Sequence, residues 1–244
     1  MPQPWKIIDS VSTKEGILEL RQRGVSDFLI TVGGRVLMNS MAHRSEAALG
    51  RLACGHLKDR PRPRVLVGGL GMGFTLREVL NTLPPTGKVV VAELNPAVQE
   101  WCRGPLAHLT DGATQDSRVM VRVCDVAPLI GKYAKGSRGD KFDAVVLDLY
   151  TGPYTRTHKK DDPIYGSTAI DTTRTALKPD GIFAVWGEDY DTGFEKRLRA
   201  AGFSVTIERL GRSGPRHVVY MGKLQPSRKM INRNVRKRTP KRSA

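Results

Sequence analysis

Val65-Leu-Val-Gly-Gly-Leu-Gly-Met-Gly-Phe74, followed by Val89-Val-Val-Ala-Glu93, decides the fold of this 244-residue chain. A Val-rich apolar run that breaks into glycines and then into a helical pattern reads as a buried strand turning tightly beneath a nucleotide. The next apolar strand ends in an acid. In an open α/β sheet the glycines let the backbone approach a ligand, and a carboxylate about 20 residues on accepts hydrogen bonds from ribose hydroxyls. Gly69, Gly71 and Gly73, with Met72 between them, and then Glu93 with the adjoining Leu94, are therefore candidate contacts to a nucleoside-containing cosubstrate. A tight turn without a ligand, and an acid that caps the helix opening at Asn95-Pro96, are the structural alternatives.

Outward from this stretch, strand and helix patterns alternate. Strands are expected near 64–68, 88–93, 118–123, 142–148, 181–186, 203–210 and 216–221, and helices near 73–82, 96–103, 126–133, 164–177 and 191–201. Such alternation implies βαβ units and a mostly parallel sheet. The last two strands are joined by Gly211-Arg-Ser-Gly-Pro215, short enough for an antiparallel hairpin. The expected fold is α/β and Rossmann-like: a mostly parallel seven-stranded sheet with an antiparallel C-terminal edge strand, which resembles the Class I methyltransferase fold. Upstream, residues 27–40 carry two apolar runs around Gly33-Gly34, a hairpin signal. From Ser45, a plausible N-cap, residues 46–57 have helical spacing. The division expected is a small N-terminal β-hairpin and helix element over 1–57, a catalytic domain over 58–224, and a basic tail over 225–244.

Net charge is +16, and eight basic side chains with no acid lie in residues 225–244. Such a run is expected to be a solvated tail with weak contact to nucleic acid or another polyanion. Three cysteines without CxxC spacing fit a reducing compartment with neither disulfides nor zinc. No segment approaches the roughly 20 apolar residues that cross a bilayer, so a cytoplasmic protein without membrane contact is expected.

Two further strands deliver acids to the edge that Glu93 occupies. Val119–Cys124 ends at Asp125, beside Val126, where a carboxylate accepts from an adenine amino group or, alternatively, caps the following helix. Phe142-Asp-Ala-Val-Val-Leu-Asp148 places Asp148 there as well. An ionised carboxylate at that point can orient an amine nucleophile and take its proton as a bond forms.

On these residues, together with Leu-Arg-Glu78, Cys124-Asp125, Gly152-Pro153, Ile164-Tyr165 and Leu177-Lys-Pro-Asp-Gly181, the chain resembles the spermidine synthase family of aminopropyltransferases over roughly residues 27–205. The resemblance implies ribose contact for Glu93, adenine contact for Asp125, a catalytic position for Asp148 and Tyr150, and a homodimer. It also implies S-adenosylmethionine or its decarboxylated form as cosubstrate, with no metal. Two departures stand out. Where the family's glycine loop usually carries an acid, this chain has Met72. Where the family has a second acid three residues after the catalytic one, it has Thr151. An acid facing the donor's tail would oppose the carboxylate of intact S-adenosylmethionine by up to about 4 kcal/mol for a 4 Å pair at an effective dielectric of 20. Its replacement favours the intact donor, with methyl or 3-amino-3-carboxypropyl transfer to a small-molecule amine or peptide acceptor. The alternatives are aminopropyl transfer to a polyamine, with acids near Asp161-Asp162 supplying amine contacts, and an RNA-binding or RNA-modifying homologue.

Tyr150, Tyr154 and Tyr165 flank the Asp148 loop, as aromatic walls for a cation or as packing. His43 is a candidate to line the same cavity or an ordinary cap residue. Trp186 reads as core or pocket wall, and Glu188-Asp189 as the cap of the next helix. Arg156, His158, Lys159 and Lys160 read as a solvated loop or an anion contact.

Overall fold

The computed structural model describes residues 3–154, 159–210 and 217–225. Its larger sheet grows from the Val-rich runs. Strands β5 (Arg64–Gly68), β6 (Lys88–Glu93), β7 (Val119–Val123), β8 (Phe142–Leu147), β9 (Leu177–Gly187), β10 (Phe203–Leu210) and β11 (His217–Leu224) form one seven-stranded sheet in the order β10-β11-β9-β8-β5-β6-β7. β8 is buried at every residue, as a central parallel strand covered on both faces must be. β11 runs antiparallel to both of its neighbours, β10 and β9, and the remaining pairs of the sheet are parallel. The antiparallel C-terminal strand is thus present, but one place in from the edge. β10 is the edge strand, because the short return after it slots β11 between β10 and β9.

The helices α2 (Phe74–Thr82), α3 (Pro96–Arg103), α4 (Val126–Lys135), α5 (Ser167–Ala176) and α6 (Thr192–Ala200) follow the alternation. The N-terminal element is larger than a hairpin: β1 (Lys6–Thr13), β2 (Gly16–Arg23), β3 (Asp27–Val32) and β4 (Arg35–Asn39) form a four-stranded antiparallel sheet. Helix α1 (Arg44–Cys54) connects it to β5. The N-cap of α1 is His43, so Ser45 lies inside the first turn instead of capping it. The cap of α6 is Asp191, accepting from the Phe194 N–H at 2.5 Å, and not Glu188-Asp189.

Two apolar interiors hold the layers together. One joins Leu18, Leu20, Phe28 and Ile30 of the small sheet to Val65, Val67 and Val146 of the large one. The other, on the opposite face, includes Leu66, Val145, Phe183 and Tyr220. At the amino-terminal end of β8, the fully buried Asp143 is paired with Arg60 at 2.8 Å and Lys178 at 2.7 Å, and accepts from the Arg64 N–H at 2.7 Å. Removing one partner from such a buried cluster typically costs several kcal/mol. The basic tail expected over 225–244 falls, from residue 226 on, outside the described residues.

Candidate active site

Backbone hydrogen bonds continue the sheet ladder one residue past the strand ends. The Gly69 N–H donates to the Ala92 carbonyl at 2.9 Å, the Asp148 N–H to the Gly68 carbonyl at 2.8 Å, and the Cys124 N–H to the Glu93 carbonyl at 2.9 Å. Gly69, Glu93, Asp125 and Asp148 therefore share the carboxyl edge of four adjacent strands, β8-β5-β6-β7. At about 4.8 Å per strand that edge spans about 14 Å, room for a nucleoside and a short chain.

The glycine turn fits close backbone approach. Gly69 has φ +88°, and a Cβ there would sit 2.2 Å from the Asp148 carbonyl oxygen. Above Gly71 lies the Met38 sulfur of β4, 2.7 Å from where a Cβ would be, so the small sheet roofs the loop. Glu93 is buried, with Oε2 accepting from the Leu70 N–H at 2.9 Å and Oε1 from the Asn95 N–H at 2.8 Å. Burial pushes its proton affinity up while these backbone donors pull it back. Each carboxylate oxygen retains a lone pair for a ribose hydroxyl. Glu93 does not cap α3: Asn95 does, accepting from the Ala97 N–H at 3.0 Å. Leu94 is exposed beside it.

Met72 is placed differently from the expectation. Between left-handed Gly71 and Gly73 its side chain is turned inward, fully buried in the same cluster as Trp101, Cys102 and Leu106. It does not face the space over the loop. Asp125 is exposed and caps α4, accepting from the Ala127 N–H at 2.9 Å, with Val126 buried beneath it. Next to this first turn a cavity of about 260 Å³ opens between Ala127 and Ile130 and the segment Asp161–Ile164. Neither Asp125 nor Asp148 is among its lining residues. Asp162 is engaged in its own turn, accepting from the Ile164 and Tyr165 N–H groups at 3.0 and 2.6 Å.

At the other end, Asp148 Oδ2 accepts from the Thr75 hydroxyl at 2.5 Å. Burial, and then the neighbouring Glu46 carboxylate, raise its pKa from 3.8 to about 7, against the pull of the Thr75 hydrogen bond. The Thr75 oxygen is also 3.1 Å from the Glu46 carbonyl. This meeting depends on α1 and α2 packing closely at Gly50, where a Cβ would be 2.8 Å from the Thr75 carbonyl. The Glu46 carboxylate accepts from the Ser45 hydroxyl at 2.6 Å, and Ser45 Oγ lies 2.8 Å from His217 Nδ1. Trp186, half-buried, stands edge-on to His217 with ring centroids 4.9 Å apart, its indole N–H enclosed without an acceptor among the described residues.

The aromatic residues divide. His43 stacks on Phe74 at 4.1 Å, with Nδ1 3.0 Å from the Ser40 carbonyl. The Tyr150 hydroxyl donates to Glu15 in the β1–β2 turn, and Arg35 lies 5.6 Å from its ring centroid. Tyr165 is buried, donates to the Thr151 carbonyl at 2.7 Å and packs edge-on to Phe194, contacts that hold the loop. Tyr154, Lys159 and Lys160 are exposed. Arg156 and His158 lie outside the described residues. Three residues at the site went unassigned from sequence: Thr75, Glu46 and His217. From sequence, His217 reads only as the start of the last strand and Glu46 only as a member of the helical run 46–57.

Among the described residues, no helix is long and apolar enough to cross a membrane, and no group of three or more His, Cys, Asp or Glu is placed to hold a metal ion. Residues 51–194 match the family described as the spermine/spermidine synthase domain. The chain is 36% identical over 125 residues to a polyamine aminopropyltransferase of Pyrobaculum aerophilum, covering 50% of this chain and 40% of that protein. A polyamine aminopropyltransferase of Clostridium tetani is 29% identical over 133 residues, covering 54% and 43%. The chain thus spans well under half the length of these relatives in the matched region. Among solved structures, a spermidine synthase in complex with the transition state analogue AdoDATO superposes with TM-score 0.68 at 20% identity, over 98% of this chain and 80% of that one. Spermidine synthase from Thermotoga maritima gives TM-score 0.68 at 19% identity, over 98% and 81%. At these identities the likeness establishes the fold.

Proposed function

The chain belongs to the spermine/spermidine synthase family, and from that premise we propose that it transfers an aminopropyl group from decarboxylated S-adenosylmethionine to an amine acceptor. The contrast between the two acids of β8 and its end carries this reading. Asp143 is neutralised by two cations at the strand's start. Asp148, one strand-length on, is partly exposed at the ligand edge, is shifted by burial and a second carboxylate, and forms no ion pair with a described cation. A carboxylate kept in that state suits a cationic or amine ligand, not a structural partner.

In this scheme Glu93 accepts from the ribose hydroxyls and Asp125 from the adenine amino group. The bound donor supplies an electrophilic carbon on a positively charged sulfur. Asp148 orients the amine nitrogen toward that carbon, and alignment at about 3–3.5 Å lowers the barrier chiefly through positioning. As the C–N bond forms the C–S bond breaks, its electron pair stays on sulfur so that 5′-methylthioadenosine leaves as a neutral thioether, and the nitrogen's proton passes to Asp148, whose pKa near 7 matches a base working at neutral pH.

Intact S-adenosylmethionine is the second reading, favoured by the absence of an acid from Leu70 to Gly73. Met72 itself is fully buried, so the support rests on the missing acid and not on a contact from its thioether. Calorimetry with the two donors, followed by mass spectrometry of turnover with 1,4-diaminobutane, tests both. Tighter binding of the decarboxylated donor and a product heavier by one aminopropyl group are expected. Tighter binding of the intact donor with a methyl or carboxypropyl product would establish the second reading, and no transfer from either would sink both.

A further inference from the structure

We propose that Glu46 is the second anionic contact of the acceptor site, held by Ser45 and His217, and that it binds the distal ammonium of a diamine whose other nitrogen meets Asp148. The inference rests on the transfer reading above and names a residue for it. The second acid expected within the Asp148 loop is absent, since position 151 is Thr and its carbonyl is taken by the Tyr165 hydroxyl. Another element must then supply the charge for a dicationic acceptor.

Glu46 is placed to do so. One hydroxyl, that of Thr75, lies 3.1 Å from the Glu46 carbonyl and 2.5 Å from Asp148 Oδ2, which brings the first turn of α1 against the reacting carboxylate. The orientation of the Glu46 side chain follows from its partners. The single Ser45 proton goes to Glu46 Oε2 at 2.6 Å, so His217 Nδ1, 2.8 Å from the same oxygen, carries a proton and donates to Ser45. His217 is itself braced by the Trp186 edge. This relay fixes Oε2 from one side, while Oε1 accepts from no described donor.

Charge balance points the same way. Glu19, Asp27, Asp116 and Asp143 each pair with an arginine within 3.0 Å. None of the described cations pairs with Glu46 or Asp148, yet the two carboxylates are close enough for Glu46 to raise the proton affinity of Asp148. A like charge beside it disfavours ionisation of Asp148. A ligand with two positive ends removes that cost and gains a charge-assisted hydrogen bond at each end.

The test is calorimetry of 1,4-diaminobutane and of 1-aminobutane with the full chain, alone and saturated with 5′-methylthioadenosine. Wild-type protein should prefer the diamine. Glu46→Gln keeps an acceptor for the Ser45 hydroxyl and should weaken diamine binding at least about tenfold, collapsing the preference. Ser45→Ala, which leaves the charge but frees it, should lower the same preference by a smaller factor, a readout that loss of structure alone would not move. Thermal melts confirm folding, and Glu46→Asp, which keeps the charge, replaces Glu46→Gln if the latter unfolds, with a preference between those of wild type and Ser45→Ala expected. A wild-type protein indifferent to the second amine, or an undiminished preference in Glu46→Gln, overturns the proposal. Absence of transfer from either donor would remove the catalytic reading but leave this binding measurement to decide the role of Glu46.

Discussion

Replacing Asp148 by asparagine should make the protein more stable and less active, and the stability gain should depend on pH with a definite sign. In the fold the carboxyl holds its proton up to about 7, against 3.8 ordinarily. Between those values the native state binds more protons than the unfolded state, so stability falls as pH rises through this window and is flat above it. The full difference is worth about 4 kcal/mol at about 1.4 kcal/mol per pH unit. Solvent access to the exposed part of the side chain reduces it to about 2–4 kcal/mol. Asparagine occupies the same space, can still accept from Thr75, and never ionises. Urea unfolding of both proteins should thus give equal stability near pH 3.5 and a variant more stable by about 2–4 kcal/mol at pH 8, on the order of 5–15 °C in melting temperature. Taking the difference between variants cancels every titrating group that does not interact with Asp148. Turnover at pH 8 should drop by about a hundredfold or more. A stability difference independent of pH, or a variant less stable at pH 8, would refute the reasoning.

Gly69→Ala places a methyl group 2.2 Å from the Asp148 carbonyl in a left-handed backbone conformation, so it should cost about 2 kcal/mol or more and reduce donor affinity; unchanged calorimetry would show that the turn does not approach the ligand. Removing residues 225–244, with their eight basic side chains, should weaken binding to RNA and flatten its salt dependence between about 50 and 200 mM, measured by filter binding; an unaltered salt slope would leave the tail without that role.

How much of this was legible in the chain depends on how local each signal is. The apolar runs at 65–68, 89–92 and 144–147 and the residues that end them mark strand ends directly, because a buried parallel strand is apolar through its middle and its terminus is where polarity returns. β1 escaped notice because it is exposed over most of its length and shows no apolar alternation. β2 did carry a signal, Leu18 and Leu20 alternating with Ile17, Glu19 and Arg21. The orientation of Met72 was not readable, since two left-handed glycines decide which way it turns. Nor was the Ser45–His217 contact, which joins residues 172 positions apart. Such pairings arise only when β11 slots beside β9.

The roof that Met38 lays over Gly71 belongs to a sheet whose underside shares its apolar interior with the large sheet. That sheet is therefore no ornament that lineages can trim at will. Removing it would take Leu18, Leu20, Phe28 and Ile30 out of a cluster they share with Leu49, Leu76 and Val79. The ceiling of the site is inherited together with the stability of the whole chain.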